Sequence, residues 1–398
     1  MSFIEINNLY KIFGKHPEKA RAMLKEGHSK DQILSELKAT IAVNNASLKI
    51  DQGESFVVMG LSGSGKSTLI RCLNRLIEPT SGRIVIDGAE VTGMDHAELQ
   101  QLRRTKVSMV FQSFAVFPHK TVLENAAYGL KIRGLPLEER NKKAYETLDL
   151  VGLKGWEKSY PNQLSGGMKQ RVGLARALAT EPDILLMDEA FSALDPLIRK
   201  EMQNELIQLQ NTMRRTIVFI THDLDEALKI GDRIALMKDG AIVQVGTPEE
   251  ILMTPASTYV EKFVEDVDRS RVLTAEMVMK KPTAVIMFPK DGPRVALRRM
   301  QENGISSIFA VDNSFRLQGI VMAEDALEAV EGNQKDLSEI LNRDISTVKP
   351  DAVLKDLFSL LSGKNLPLAV VNDENRLMGI IVRGSVMAKL AEGGIARD

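Results

Sequence analysis

One cysteine in 398 residues, Cys72, excludes an internal disulfide and any multi-cysteine metal site. It falls in a segment that reads as helix, where a small core residue is the expected role, and a reducing cytoplasm suits it. Excess charge is lacking as well. The 52 Lys and Arg nearly cancel the 53 Asp and Glu, leaving a net charge of −1. The global basic field of a nucleic-acid binder is therefore missing, and no DNA or RNA partner is expected. Long apolar runs are absent too. No window approaches the roughly 18 uninterrupted apolar residues of a spanning helix, and residues 1–11 lack the apolar stretch of a signal peptide. Any membrane connection is expected to run through a partner.

What is present is an ordinary soluble composition, 44% apolar and 26% charged, at a length that suits two to three domains. Residues 60–67 organise the rest. Gly60, Leu61, Ser62, Gly63, Ser64, Gly65, Lys66 and Ser67 fit the pattern G-x-x-x-x-G-K-[ST] at every fixed position. Residues 55–59 before them read as a buried strand. From Thr68, apolar Leu69, Ile70, Leu73 and Leu76 recur at helical spacing. Glycines let backbone N–H groups turn inward around a polyphosphate, and the helix N-terminus adds partial positive charge. Lys66 would reach the β- and γ-phosphates, and the Ser67 hydroxyl would bind Mg²⁺.

Further along, residues 3–9 alternate like a strand and 17–37, rich in Lys, Glu and Ala, read as helix. Residues 82–88 read as a strand ending in a turn. The strand expected at 107–111 is followed by Gln112 and an apolar, aromatic-bearing loop from Phe114 to Thr121, a surface suited to a docking partner. Residues 133–159 are helical and charged. Ser165, Gly166 and Gly167 open another helix, where a hydroxyl and glycine amides make an anion site. The apolar run 184–187 ends in Asp188 and Glu189, the pattern of a buried parallel strand presenting carboxylates at its C-terminal edge. One carboxylate can hold a metal while the other serves water. A last strand at 216–221 leads into His222, and neighbouring Asp223 could orient its ring.

Taken together, these stretches resemble the ATP-binding subunits of ABC transporters. The resemblance implies ATP and Mg²⁺ as cofactors, with residues 60–68 holding the phosphates. An aromatic residue ahead of the phosphate loop would stack on adenine, Phe13 being the best match and Tyr10 the reserve. It implies that Gln112, Ser67 and Asp188 serve the metal, that Glu189 is general base to the attacking water, and that His222 contacts the γ-phosphate. Leu164, Ser165, Gly166, Gly167 and Met168 resemble the signature motif, with methionine where glutamine is commonest. Ser192, Ala193, Leu194 and Asp195 resemble the D-loop. The charged insert at about 17–38 is similar to that of ATPases serving importers of glycine betaine and related osmoprotectants.

From Leu273 a repeat takes over. Arg316, Leu317, Gln318, Gly319 and Ile320 correspond to Arg376, Leu377, Met378, Gly379 and Ile380, and Asp291 and Leu297 match Asp351 and Leu357, all at an offset of 60. Each copy reads as strand, helix, strand, turn, strand, helix, and resembles a CBS domain. With 16 basic and 17 acidic residues the region is nearly neutral. Lys280, Lys281, Arg298 and Arg299 are candidate readers of salt at an anionic membrane.

The expected architecture is an α/β P-loop ATPase domain of ABC type over 1–265, with a helical subdomain. A linker at 266–272 leads to an α+β tandem CBS module at 273–332 and 333–398. The expected function is ATP hydrolysis driving import of a compatible solute, most of all glycine betaine or proline betaine. Choline, carnitine or an amino acid, or a soluble non-transport ABC ATPase, are the alternatives. The partners would be a second copy of the chain, transmembrane permease subunits, an outer-face substrate-binding protein and an adenine nucleotide at the CBS module. The chain would sit on the cytoplasmic face of the inner or plasma membrane.

Overall fold

A computed structural model describes the chain except residues 1, 113, 114, 193, 266, 267, 269, 271, 364, 365 and 392–398. Phe114 of the docking loop, Ala193 of the D-loop, four positions of the linker and the last seven residues of the second repeat thus lie outside the described residues. The chain divides into two units, Met1–Val264 and Glu265–Asp398.

The described strands of the first unit are β1 (Ser2–Phe13), β2 (Thr40–Asp51), β3 (Ser55–Met59), β4 (Ser81–Ile86), β5 (Ala89–Glu90), β6 (Val107–Val110), β7 (Ile184–Asp188), β8 (Thr216–Thr221), β9 (Arg233–Lys238) and β10 (Ala241–Gly246). Six of them form a sheet in the order β10-β9-β3-β8-β7-β6, parallel throughout except for β10. Because β3, β7 and β8 are buried at every residue, their sequences run apolar instead of alternating. A second, antiparallel sheet has the order β2-β1-β4-β5. Apolar residues of both sheets, among them Ile4, Ile6, Phe56, Ile84, Leu186 and Val218, share one core with Leu69 and Leu73.

The helices are α1 (Pro17–Lys25), α2 (Lys30–Leu37), α3 (Lys66–Leu73), α4 (His96–Thr105), α5 (Val122–Ala126), α6 (Tyr128–Ile132), α7 (Leu137–Leu150), α8 (Gly166–Leu178), α9 (Pro196–Met213), α10 (Leu224–Ile230), α11 (Pro248–Met253) and α12 (Thr258–Val264). Among the described residues none is long and apolar enough to cross a membrane. Helices α5, α7 and α8 pack on one another as a helical lobe.

Local chemistry corrects several expectations. The single helix expected at 17–37 is two, because Ser29 caps a new start: its hydroxyl accepts from Gln32 N–H while the Gln32 side chain returns to Ser29 N–H. This pair folds onto its own small core of Ile12, Ala20, Met23, Ile33, Ala39 and Ile41. Within 133–159 only Leu137–Leu150 is helical, since Gly152 at φ +68° ends the segment. Leu76 is not on the face of α3. The helix stops at Leu73, and Leu76 is 49% exposed.

In the second unit, α13 (Ala275–Val278) precedes two similar copies. The first comprises β11 (Val285–Met287), α14 (Pro293–Asn303), β12 (Ser307–Val311), β13 (Leu317–Met322) and α15 (Ala323–Glu331). The second comprises β14 (Thr347–Val348), α16 (Leu354–Gly363), β15 (Leu368–Val371), β16 (Leu377–Ile381) and α17 (Arg383–Ala391). The repeated turns pair across an approximate two-fold, with Arg316 bridging Arg376, Leu317 N–H donating to Asn375 O and Leu377 N–H to Phe315 O. Phe309, Val311 and Leu317 share a core with Ala369, Val371 and Leu377. Arg299, one of the candidate salt-reading charges, is engaged within the first repeat. It pairs with Asp291 at 3.2 Å and donates to Val285 O, so it ties α14 to its sheet.

Candidate functional site

The site lies at the C-terminal ends of the parallel strands, where β3 turns into α3. Residues 60–65 make this turn with glycines at positions no other residue suits. A Cβ on Gly65, at φ +100°, would meet Ala42 O at 2.0 Å, and one on Gly60 would meet Met237 O at 2.2 Å. The loop is thus wedged between β2 and the end of β9. Leu61, Ser62 and Gly63 are exposed, whereas the Ser64 hydroxyl is buried and has no hydrogen-bond partner. That hydroxyl, the turned backbone and the start of α3 suit a polyphosphate.

Lys66 is 4% exposed and donates to Gly60 O at 2.9 Å and Leu61 O at 3.0 Å. Burial pushes its ammonium pKa down, while Glu189 and Asp188 hold it up. Ser67 donates to Asp188 Oδ1 at 2.7 Å. Ser67, Asp188 and the Gln112 amide offer hard oxygen donors, which suit Mg²⁺. Thr68 lies half-buried in the first turn of α3.

Glu189 follows β7 at φ +46°, a conformation that non-glycine residues rarely keep. Its carboxylate is held from two sides. Gln112 Nε2 donates to Oε2 at 3.0 Å, and His222 Nδ1 stands 3.8 Å from Oε1. The fold therefore brings Gln112, Glu189 and His222 together beside Lys66, Ser67 and Asp188. Asp223 does not orient the histidine as expected. Its carboxylate caps α10 by accepting from Glu226 N–H at 3.3 Å, and Arg199 approaches its other oxygen at 3.9 Å.

Other residues stand apart. Phe13 is 43% exposed at the end of β1 with Lys11 Nζ 4.7 Å from its ring centre, and Tyr10 is half-buried on the same strand. Ser165 caps α8, accepting from Met168 N–H at 3.3 Å, and Gly167 packs against Ile198. Ser165 and Gly166 are exposed. Asp195 caps α9, accepting from Leu197 and Ile198 N–H, and is exposed as well. Among the described residues, none of Phe13, Ser165, Gly166 and Asp195 hydrogen-bonds the phosphate loop of its own chain.

Three supporting groups escaped the sequence reading. Arg71 donates to Asp188 Oδ2 from Nε at 3.1 Å and Nη2 at 2.8 Å, so this 1%-exposed carboxylate is fixed on both oxygens. The signal was its spacing, since Ser67 and Arg71 at i and i+4 share one helix face. Arg199 donates to the carbonyls of Phe191, Ser192 and Leu194 and so orders the turn after Glu189. Glu226 is 6% exposed with its pKa raised by burial, and it accepts from Gln203 Nε2 at 3.0 Å, joining α10 to α9.

Comparison with known proteins agrees with this geometry. The family described as "ABC transporter" matches residues 43–192, and "CBS domain" matches 275–332 and 337–392. The glycine betaine transport ATP-binding protein OpuAA of Bacillus subtilis (strain 168) is 57% identical, over 98% of this chain and 92% of its own length. The glycine betaine/carnitine transport ATP-binding protein GbuA of Listeria monocytogenes is 56% identical over 98% of both chains. ProV of Escherichia coli (strain K12), a glycine betaine/proline betaine transport system ATP-binding protein, is 48% identical over 98% of both. Among solved structures, an ATP-binding cassette dimer in a post-hydrolysis state with ADP and Pi is 34% identical. Its TM-score is 0.53, and the match covers 62% of this chain and 98% of that one. With its phosphate loop, strand-end carboxylates and repeated C-terminal unit, the chain belongs to the ABC transporter family, as an ATP-hydrolysing subunit with a tandem pair of CBS domains.

Proposed function

We propose that this chain powers the uptake of glycine betaine or proline betaine from the cytoplasmic face of a membrane, bound there by permease subunits and supplied by an outer-face substrate-binding protein. The observation that carries the solute is 57% identity, at 98% coverage of this chain, to a glycine betaine transport ATP-binding protein. The partner surface is a groove of about 530 Å³ beside β6 and the helical lobe. There the Phe117 ring packs, tilted, against Tyr128 at 4.5 Å between centroids, and the Arg176 guanidinium lies 5.5 Å from the Phe117 ring. Such an apolar, cation-rimmed groove suits an inserted helix of a membrane subunit. Reconstituted with its permease and binding protein, the chain should hydrolyse ATP faster with glycine betaine than with choline, carnitine or methionine. Preferential stimulation by one of those three would overturn the assignment.

In this reading residues 60–68 and Lys66 hold the triphosphate, and Phe13 stacks on adenine. Ser67, Asp188 and Gln112 would hold Mg²⁺, which would supply neutralisation of phosphate charge. Glu189 takes a proton from the attacking water, and His222 steadies both the γ-phosphate and the Glu189 carboxylate. Ser165, Gly166, Gly167 and Asp195 serve the ATP of a second copy, which the exposure of Ser165, Gly166 and Asp195 supports.

The tandem CBS unit regulates. Its cleft of about 480 Å³ is lined from both repeats, with Thr283, Ser306, Ser307 and Ile305 on one side and Pro367 and Arg383 on the other. Hydroxyls, an apolar wall and a guanidinium suit an adenine nucleotide. Loss of a charge-assisted hydrogen bond is worth about 1.5 to 3 kcal/mol. Arg383→Gln in the full chain should therefore weaken AMP binding by roughly 10- to 100-fold in calorimetry. Unchanged affinity would remove this cleft as the regulatory site.

A further inference from the structure

Helix α12 is the last element of the first unit, and the chain passes from Val264 directly into the second. Val260 and Val264 anchor it, and it packs on α11. Tyr259, one residue before the first of those anchors, turns toward the nucleotide site. Its ring rests under Lys238 Nζ at 4.6 Å and beside Phe263 at 6.0 Å. Its hydroxyl is buried, without a completed hydrogen bond, and lies against the N–H of Leu61.

Two of these neighbours, Leu61 and Lys238, belong to the support of the phosphate loop. Leu61 O accepts from Lys66 at 3.0 Å. Lys238 ends β9, whose Met237 O backs Gly60, and Gly240 N–H in the following turn donates to Ser64 O at 3.0 Å. A buried hydroxyl lacking a partner is costly. A small approach of Leu61 to α12 would complete the bond, so the loop and the helix favour moving together.

We propose that Tyr259 is a positioning residue that braces the phosphate loop at Leu61, and that through α12 it carries the state of the CBS unit to the nucleotide. The brace rests on the geometry alone; the transmission rests on the regulatory role proposed above.

The test is Tyr259→Phe in the full chain, assembled with its permease. The readouts are binding of a fluorescent ATP analogue and steady-state ATPase, each across a range of salt. Removing the hydroxyl with which Leu61 would complete a hydrogen bond predicts a three- to tenfold fall in nucleotide affinity with a matching rise in KM. The kcat at saturating ATP should stay within twofold, a split that general unfolding would not give. The salt dependence of affinity seen in the parent chain should flatten. Unchanged affinity would overturn the brace. Weaker affinity with the parent's full salt response would overturn transmission and leave the brace standing. If the parent itself responds neither to salt nor to AMP, the regulatory reading fails and transmission with it, while the affinity of the variant still decides the brace.

Discussion

Glu189→Gln is expected to slow ATP hydrolysis by about 10² to 10⁴ while leaving ATP affinity within a few-fold, the signature of a general base that acts only in the transition state. The geometry singles out this carboxylate. It sits at φ +46°, a strained backbone that persists only where its surroundings over-determine it, and its side chain is held by Gln112 and His222. Glutamine keeps the size and the two-sided contacts but cannot take a proton from water. With hydrolysis blocked, MgATP should accumulate between two copies, because Ser165, Gly166 and Asp195 are exposed and form no hydrogen bond to the phosphate loop of their own chain among the described residues. Single-turnover assays and sedimentation with MgATP test both points. Near-normal turnover in the assembled transporter would remove Glu189 from the role, and a chain that stays monomeric with MgATP and permease would count against the shared site.

Lys66→Ala is expected to act earlier, on nucleotide capture. Lys66 is buried, and its ammonium already lies on the carbonyls of Gly60 and Leu61 at the loop's rim. Truncating one partner of a buried, hydrogen-bonded charge pair costs about 2 to 5 kcal/mol, so ATP affinity should fall by a factor on the order of 10² or more. The ATP-driven dimer should be lost along with hydrolysis, in contrast to Glu189→Gln. Equilibrium binding of a fluorescent ATP analogue separates the two variants. A Lys66→Ala chain that still binds within threefold of the parent would show that the glycine loop alone holds the phosphates.

The sequence by itself determined the parts of the site built from contiguous residues. The phosphate loop, the strand into it and the strand-end carboxylates were legible because each is a short segment with chemistry tied to fixed spacing. So was the strand at Thr216–Thr221, because a fully buried parallel strand must read apolar throughout. The CBS repeat showed itself through a regular offset. Helix ends were less legible where a cap overrode composition, as Ser29 did in splitting the 17–37 segment.

Only the tertiary structure decided which distant side chains meet. Arg71 fixes Asp188 across 117 residues, Gln112 reaches Glu189 across 77, and Tyr259 comes to rest under the Lys238 ammonium. It also decided that Asp223 caps α10 instead of serving His222, and that Arg299 pairs with Asp291. The physical reason is one of range. Propensity, periodicity and capping act within a few residues along the chain, whereas hydrogen-bond partners in a parallel sheet are set by strand order, and strand order follows from packing the whole core.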